Sequence, residues 1–247
     1  MRNIWTIAKR EYNSYFNSPL AYILMLIIFA VIGIIFALNL LAVNGNQFYG
    51  PQPLDANMVA GPLVFMMIFC TPALTMRLIS DEARTGTLEL LLTAPIRDGE
   101  LVIGKWFGAF LFTLTIIGFT LIFPIMINGM TDPGIDFIQL AASYLGMILV
   151  IGAFLAIGTG VSAIFSNQFA AFFATLGILV VVWFLLGAPA NILPVGGDIF
   201  RYLDMNSYFY SGFNAGTVKL EGIIYYISIT ALGLFTGNLA VEYRRWK

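Results

Sequence analysis

Residues 137–197 read FIQLAASYLGMILVIGAFLAIGTGVSAIFSNQFAAFFATLGILVVVWFLLGAPANILPVGG, a run of 61 residues without Asp, Glu, Lys or Arg. An ionised side chain in hydrocarbon costs at least ~2.5 kcal/mol, so such a run is typical of chain buried in a membrane. One span needs ~20 residues, and this run is about three times too long for a single helix. The polar residues Ser166, Asn167 and Gln168 mark the turn. We predict two membrane helices here, the second broken by the Gly-Ala-Pro sequence at 187–189.

The rest of the chain carries the same signal. Four more stretches lack charges, at residues 12–54, 56–76, 106–131 and 222–241. The whole chain is 60% hydrophobic and 10% charged, whereas soluble domains devote about a quarter of their residues to charges. This composition excludes a water-soluble globule. With no histidine and a single cysteine, the sequence offers no disulfide framework and no His- or Cys-based metal site, so we expect no cofactor on this chain.

The predicted fold is all-α: one polytopic membrane domain over residues 1–247 with six transmembrane helices. The helices are expected at residues 20–43, 58–76, 106–127, 138–165, 169–186 and 223–241. Ten of the twelve basic residues fall in the amino terminus, the connection between the second and third spans, and the tail. Basic residues stay on the cytoplasmic side of short loops, so both termini are predicted to be cytoplasmic.

Two segments outside the spans have patterns of their own. In residues 1–17, Trp5, Ala8, Tyr12 and Tyr15 recur at helical spacing, which predicts an interfacial helix with its rings at the acyl boundary; a simple charged flank is the alternative. Residues 188–221 are rich in Pro, Gly and aromatics, which favours a re-entrant segment of short helices on the outer face, although a plain extracellular cap fits nearly as well.

The connection between the second and third spans is the most informative. Gly86 interrupts its helical pattern, after which Leu88, Leu91 and Leu92 form an apolar face that ends at Pro95. A helix this short would need a partner surface, and an ordinary solvated loop is the alternative. We therefore treat residues 80–96 as a candidate interaction segment.

Other patterns are less informative. Residues 99–105 fit G-x-x-x-x-G-K, but Trp106 follows where a phosphate loop needs Ser or Thr, so Lys105 is interpreted as a snorkelling anchor of the third span. The spans carry no acid, base or His to couple an ion or to catalyse. Three classes remain: a translocator powered from outside the bilayer, a channel, or an assembly scaffold.

Residues 81–96, DEARTGTLELLLTAPI, resemble the motif of ABC-2 type permeases, the membrane subunits of ABC exporters, which is roughly acidic-x-x-x-Gly-Thr-Leu-Glu-x-Leu-Leu-x-x-Pro. The arrangement of spans is similar to that family over the whole chain. Within the family, FNSP at 16–19 and TMRLISDE at 75–82 most resemble the gliding-motility (GldF-like) permeases.

The resemblance implies an exporter permease of the bacterial inner membrane. It would pair with a second copy or a related permease and join a cytoplasmic ATPase dimer that holds ATP and Mg. Residues 80–96 would then be the coupling segment, its residues being Glu82, Arg84, Gly86, Thr87, Leu88, Glu89, Leu91, Leu92 and Pro95. Glu82 and Arg84 would brace it against the interfacial helix, Gly86 would permit a bend, the three leucines would seat in the ATPase cleft, and Glu89 would add a polar contact. An ATPase-independent channel or scaffold is the alternative.

Overall fold

The computed structural model describes residues 2–43, 57–86, 97–130, 134–191 and 197–245. All regular secondary structure in these ranges is helical, which confirms the predicted class. The α-helices, in chain order, are α1 Arg2–Phe16, α2 Pro19–Val43, α3 Asn57–Thr75, α4 Ser80–Thr85, α5 Asp98–Thr120, α6 Ile122–Met130, α7 Phe137–Ile164, α8 Gln168–Val180, α9 Gly197–Leu203, α10 Met205–Ser207 and α11 Leu220–Arg245.

Six helical segments are long and apolar enough to cross a membrane, as predicted. They are Pro19–Leu41, Met58–Thr85, Asp98–Met130, Phe137–Ile164, Gln168–Leu185 and Leu220–Arg244. The fifth contains α8 and the π-helical turn Val181–Leu185 that continues it. The first, second, fourth and fifth predicted spans agree closely with α2, α3, α7 and this composite helix.

The third span differs most from the prediction, because α5 begins at Asp98 instead of residue 106. The Glu100 side chain accepts a hydrogen bond from the Arg97 amide at 3.2 Å and so satisfies an amide at the start of the helix. Charged residues mark where hydrocarbon ends, whereas a helix continues as long as its first amides are satisfied. The same reasoning explains α11, which extends beyond the predicted 223–241 at both ends.

Helix α7 lies at the centre of the bundle and packs against α3, α5, α8 and α11. Its small residues permit these close contacts. A Cβ on Gly158 would lie 2.3 Å from Thr75 Oγ1 of α3, and a Cβ on Gly160 would lie 2.6 Å from the Gly233 carbonyl oxygen of α11. The small residues of α7 therefore allow α3 and α11 to approach its backbone closely.

Helix α1 packs along α5, so part of the face that carries its rings contacts protein. The glycines of α5 make the approach possible, because a Cβ on Gly108 would lie 2.6 Å from Glu11 Cβ and 2.8 Å from the Ala8 carbonyl oxygen. The Tyr15 ring stacks on Phe112 with centroids 4.8 Å apart. Protein contacts thus take the place of the expected lipid contacts for Ala8 and Tyr15, while Trp5 is 56% exposed.

The described part of residues 188–221 forms short helical turns that pack on α7 and α11. After α9 and α10 come the π-helical turn Tyr208–Gly212 and the 3-10 turn Phe213–Ala215. Tyr225 and Tyr226 of α11 each donate a hydrogen bond at 2.8 Å, to the carbonyls of Leu203 and Met205. Side chains of the spanning helices thus satisfy backbone groups of this segment, as buried irregular chain requires.

Candidate functional site

Helix α4 continues from α3 after a turn and is held by a serine of the central helix. Ser162 Oγ accepts hydrogen bonds from the amides of Ile79 and Ser80, both at 3.1 Å, and donates to the Met76 carbonyl at 3.4 Å. The first amides of a helix lack partners within it, and a side chain normally caps them from the preceding residue. Here α7 supplies that oxygen, so the position of α4 depends on α7.

Gly86 ends α4 with a left-handed backbone, at φ 73°. Glycine takes up this conformation without the steric cost that a Cβ brings, and it is the usual residue after the last turn of a helix. The predicted interruption of the helical pattern at Gly86 thus coincides with the end of α4. The other predicted coupling residues, Thr87, Leu88, Glu89, Leu91, Leu92 and Pro95, lie outside the described residues.

Four charged side chains from three helices meet beside α4. Lys105 of α5 is only 2% exposed, and its Nζ lies 2.9 Å from Glu11 Oε1 of α1 and 2.8 Å from Glu82 Oε1 of α4. Arg10 of α1 reaches the same two oxygens at 3.3 and 3.4 Å. We call Arg10, Glu11, Glu82 and Lys105 the charge cluster. Its formal charges cancel, which is what desolvated ions require.

Lys105 therefore does not snorkel to an aqueous surface, contrary to the sequence interpretation. The physical reason is the close approach of α1: Gly104 and Gly108 flank Lys105 and bring Glu11 over it. The spacing Gly104-x-x-x-Gly108 around a lysine was the sequence signal for this contact, since small residues four apart allow a second helix to approach. Neither Glu11 nor Ser162 was identified from the sequence.

The structure places Arg84 differently from Glu82. Glu82 faces α1 through Arg10, whereas Arg84 Nη2 lies 3.0 Å from Asp81 Oδ1 on its own helix and is largely exposed. Asp81 also accepts a hydrogen bond from Gln168 at the start of α8. Helix α4 is thus connected to α1 and α5 through Glu82, to α7 through its amino end, and to α8 through Asp81.

Tyr15 adds a second contact between α1 and α3. Its hydroxyl donates a hydrogen bond to the Leu74 carbonyl at 2.9 Å. Burial, and secondarily the nearby Glu11 carboxylate, raises the pKa of Tyr15, so the hydroxyl keeps its proton and remains a donor. Tyr15, Leu74 and the charge cluster border a polar cavity of about 530 Å³ between α1 and the α3–α4 turn.

The carboxyl end of the central helix is capped by the last membrane helix. Arg244 donates from Nε to the Ala163 carbonyl at 3.1 Å and from Nη2 to the Ile164 carbonyl at 3.0 Å. A cation at this position pairs with carbonyls that lack helical partners and with the negative end of the helix dipole. The end of α7 next to Ser162 is thus fixed by α11.

Within the described residues, no three His, Cys, Asp or Glu side chains are placed to hold a metal ion. Residues 99–105, which match the phosphate-loop pattern, lie inside helix α5, and Gly104 faces α1. A phosphate loop wraps its amides around the anion ahead of a helix, whereas residues 102–105 bond within α5 and Gly104 contacts α1, so this stretch does not form a phosphate cradle. The arrangement can hold helices together through buried charges, and it presents α4 and Gly86 at the start of residues 87–96.

These features define a polytopic helical membrane protein with a braced segment between its second and third spans. Residues 5–195 match the sequence model of the ABC-2 family transporter proteins, and the chain belongs to that family. The chain is also similar to the probable ABC transporter permease protein NosY of Stutzerimonas stutzeri, at 29% identity over 108 residues. That match covers 44% of this chain and 39% of the relative. The family is one of transporter proteins.

Proposed function

We propose that this chain is the permease subunit of an ATP-driven ABC-2 exporter. Two permease copies would form the translocation pathway, and separate cytoplasmic ATPase chains would bind ATP and Mg and supply the work. Family membership and the six apolar spans support this proposal. The similarity to NosY, a probable ABC transporter permease protein, agrees with it.

The main observation behind the proposal is that polar contacts fix α4 to other helices of the bundle. Its amino end bonds to Ser162 of α7, and Glu82 bonds to Lys105 of α5, which also binds Glu11 of α1. A force applied to residues 87–96 would therefore reach three other helices through short polar contacts. In this proposal Leu88, Leu91 and Leu92 seat in a cleft of the ATPase, Glu89 adds a polar contact, and Gly86 sets the direction of the segment.

The proposal includes a location and an orientation. The chain would lie in the bacterial inner membrane with both termini cytoplasmic, and residues 188–221 would re-enter the membrane from the other face. The short turns there, paired to Tyr225 and Tyr226, support re-entry, since irregular backbone at membrane depth must be satisfied by protein. The resemblance of residues 16–19 and 75–82 to the gliding-motility permeases supports the proposal that the chain belongs to that subgroup.

Co-purification of the ATPase tests the coupling segment. The substitutions are Gly86→Pro and Leu91→Asp, with the ATPase co-expressed and the permease captured by a tag. We expect both variants to insert in the membrane and to lose most of the bound ATPase: the first alters the bend, and the second places a charge on the proposed contact face.

Two matched controls make the result specific. Gly86→Asn keeps a residue that tolerates the left-handed backbone, and Leu90→Asp places the same charge on the opposite side of the predicted helix. Both should retain the ATPase. Unchanged ATPase binding in Gly86→Pro and Leu91→Asp, or full solute flux through the purified chain alone in liposomes, would contradict the proposal and favour a channel or scaffold.

A further inference from the structure

A groove of about 770 Å³ lies between the start of α5 and the last turns of α11. Its α11 wall contains Ala231, Leu234, Asn238 and Glu242, whose spacing of three or four residues places them on one face of that helix. At 1.5 Å per residue this wall is about 17 Å long, roughly half the thickness of the hydrocarbon core. Both helices belong to candidate spans, so the groove runs along the bilayer.

The groove changes from apolar to polar along its length. One end is formed by Leu234 and Phe235 of α11 and Ile103 of α5, and the last two side chains are partly exposed. The other end holds Arg97 and Glu242. Charged side chains mark the boundary of the hydrocarbon, so the groove begins at the polar surface of the bilayer and continues into its interior. A lipid molecule has the same order of polar and apolar groups.

The polar end has a cation on one wall and an anion on the other. Arg97, just before α5, and Glu242 of α11 are both exposed, and within the described ranges neither takes part in an ion pair. Asn238 adds a carboxamide one turn from Glu242, and its Oδ1 lies 3.4 Å from the position of a Cβ on Gly99 of α5. The two walls therefore offer separate contacts to a ligand that carries both charges.

The charge balance of the groove favours a ligand with a cation. Asp98, Glu100 and Glu242 line it together with Arg97, which makes three carboxylates and one guanidinium. Glu100 is already engaged, because Asn3 of α1 donates a hydrogen bond to it at 3.1 Å. An anionic group without a cation beside it would be repelled by this excess of carboxylates.

From these observations we infer that the α5–α11 groove binds a zwitterionic lipid whose headgroup carries a phosphate and a primary ammonium, as in phosphatidylethanolamine. The phosphate pairs with Arg97, since a guanidinium matches phosphate oxygens with two N–H groups. The ammonium donates to Glu242 and to Asn238 Oδ1, and an acyl chain lies along the apolar end. Binding needs neither the ATPase nor transport, so this inference stands apart from the proposed function.

Native mass spectrometry of the purified full chain tests the site. Phosphatidylethanolamine, phosphatidylcholine and phosphatidylglycerol with identical acyl chains are titrated in turn. The quaternary ammonium of phosphatidylcholine has no N–H to donate, and phosphatidylglycerol has no cation. We expect phosphatidylethanolamine to bind with a dissociation constant roughly threefold to tenfold lower than that of phosphatidylcholine, the ratio that one hydrogen bond provides, and phosphatidylglycerol to bind most weakly.

Four variants separate the parts of the site. Glu242→Leu should remove most of the preference for phosphatidylethanolamine, whereas Glu221→Leu, at the opposite end of the same helix, should keep it. Arg97→Gln should weaken phosphatidylethanolamine and phosphatidylcholine by similar factors, since both carry the phosphate. Ala231→Trp should obstruct the apolar end and weaken both lipids, and Leu232→Trp, at an exposed position outside the groove, is its control. The comparison of lipids on the wild-type chain keeps the test valid if a variant does not fold.

Several outcomes would overturn the inference. Equal binding of phosphatidylethanolamine and phosphatidylcholine, strongest binding of phosphatidylglycerol, or a preference that survives Glu242→Leu would each show that the groove does not select this headgroup. In a Cys70→Ser background, a disulfide between two copies through Phe235→Cys would assign the groove to contact with a second copy instead.

Discussion

Lys105 is a buried cation that two carboxylates from different helices share. Its ammonium lies within 3 Å of oxygens of both Glu11 and Glu82, and Arg10 lies on the outer side of the same oxygens. Taking such ions out of water is costly, and removing one partner leaves the others uncompensated. The cluster therefore makes the contact between α1 and α4 sensitive to single substitutions.

Replacing Lys105 with Met should destabilise the protein by about 3–5 kcal/mol, since Glu11 and Glu82 lose the cation between them. The measurement is the thermal unfolding midpoint in detergent, followed by circular dichroism. Lys9→Met removes an exposed cation from the same end of the protein and should change the midpoint little. Adding Glu82→Gln to Lys105→Met should recover part of the loss; a midpoint equal to wild type in Lys105→Met would contradict the assigned role of the cluster.

At the scale of elements, the docking of α1 depends on two glycines of α5. Gly104 and Gly108 lie beneath Ile7, Ala8 and Glu11 with no room for a Cβ. Backbone atoms of α1 are among the obstructing groups, so the contact cannot adjust by moving a flexible side chain. This close packing brings Glu11 within reach of Lys105.

Gly108→Ala should therefore separate α1 from α5, whereas Gly118→Ala on the same helix should not, because nothing lies within 4 Å of a Cβ at Gly118. The expected result is faster hydrogen exchange of the α1 amides in the first variant and an unchanged rate in the second. Alanine favours a helix more than glycine does. A loss of hydrogen-exchange protection in Gly108→Ala would therefore reflect disturbed packing and not a lower helix propensity. Equal exchange in both variants would show that α1 does not depend on this contact.

The elements themselves were largely predictable, and their contacts were not. Missing charges identified all six spans, because the cost of an ion in lipid is a local property of the sequence. The start of α5 at Asp98 differs from the prediction, because Glu100 satisfies the Arg97 amide and the helix therefore begins among charged residues. The pairing of Glu11 with Lys105 joins residues 94 positions apart, and no local period of the sequence encodes it.

The candidate site was predicted in part for the same reason. Gly86 was identified from a break in a local pattern, and its left-handed backbone agrees with that. Ser162 could not be identified from the sequence, since its hydroxyl gains a role only when the α3–α4 turn packs against α7. Like Glu82, Arg84 is predicted to brace the segment against α1. In the structure its guanidinium pairs instead with the Asp81 carboxylate on the same helix.

For the whole molecule, the distribution of basic residues predicts the orientation. In a Cys70→Ser background, Lys219→Cys in intact cells should react with a membrane-impermeant maleimide, and Lys9→Cys should react only after permeabilisation. The physical reason is that basic segments are retained on the cytoplasmic side. Both positions are exposed, so access to the side chain is not limiting. Labelling of Lys9→Cys in intact cells would contradict the predicted orientation and would place α4 on the opposite side of the membrane.

The central helix α7 also joins the two faces of the molecule. It holds the amino end of α4 through Ser162, and 16 residues earlier Gly146 accommodates the Phe213 ring. At 1.5 Å per residue these two points are about 24 Å apart along a stiff rod. If α4 moved, a rigid tilt of α7 would carry that movement to the turn that contains Phe213. The two faces of the protein would then change conformation together.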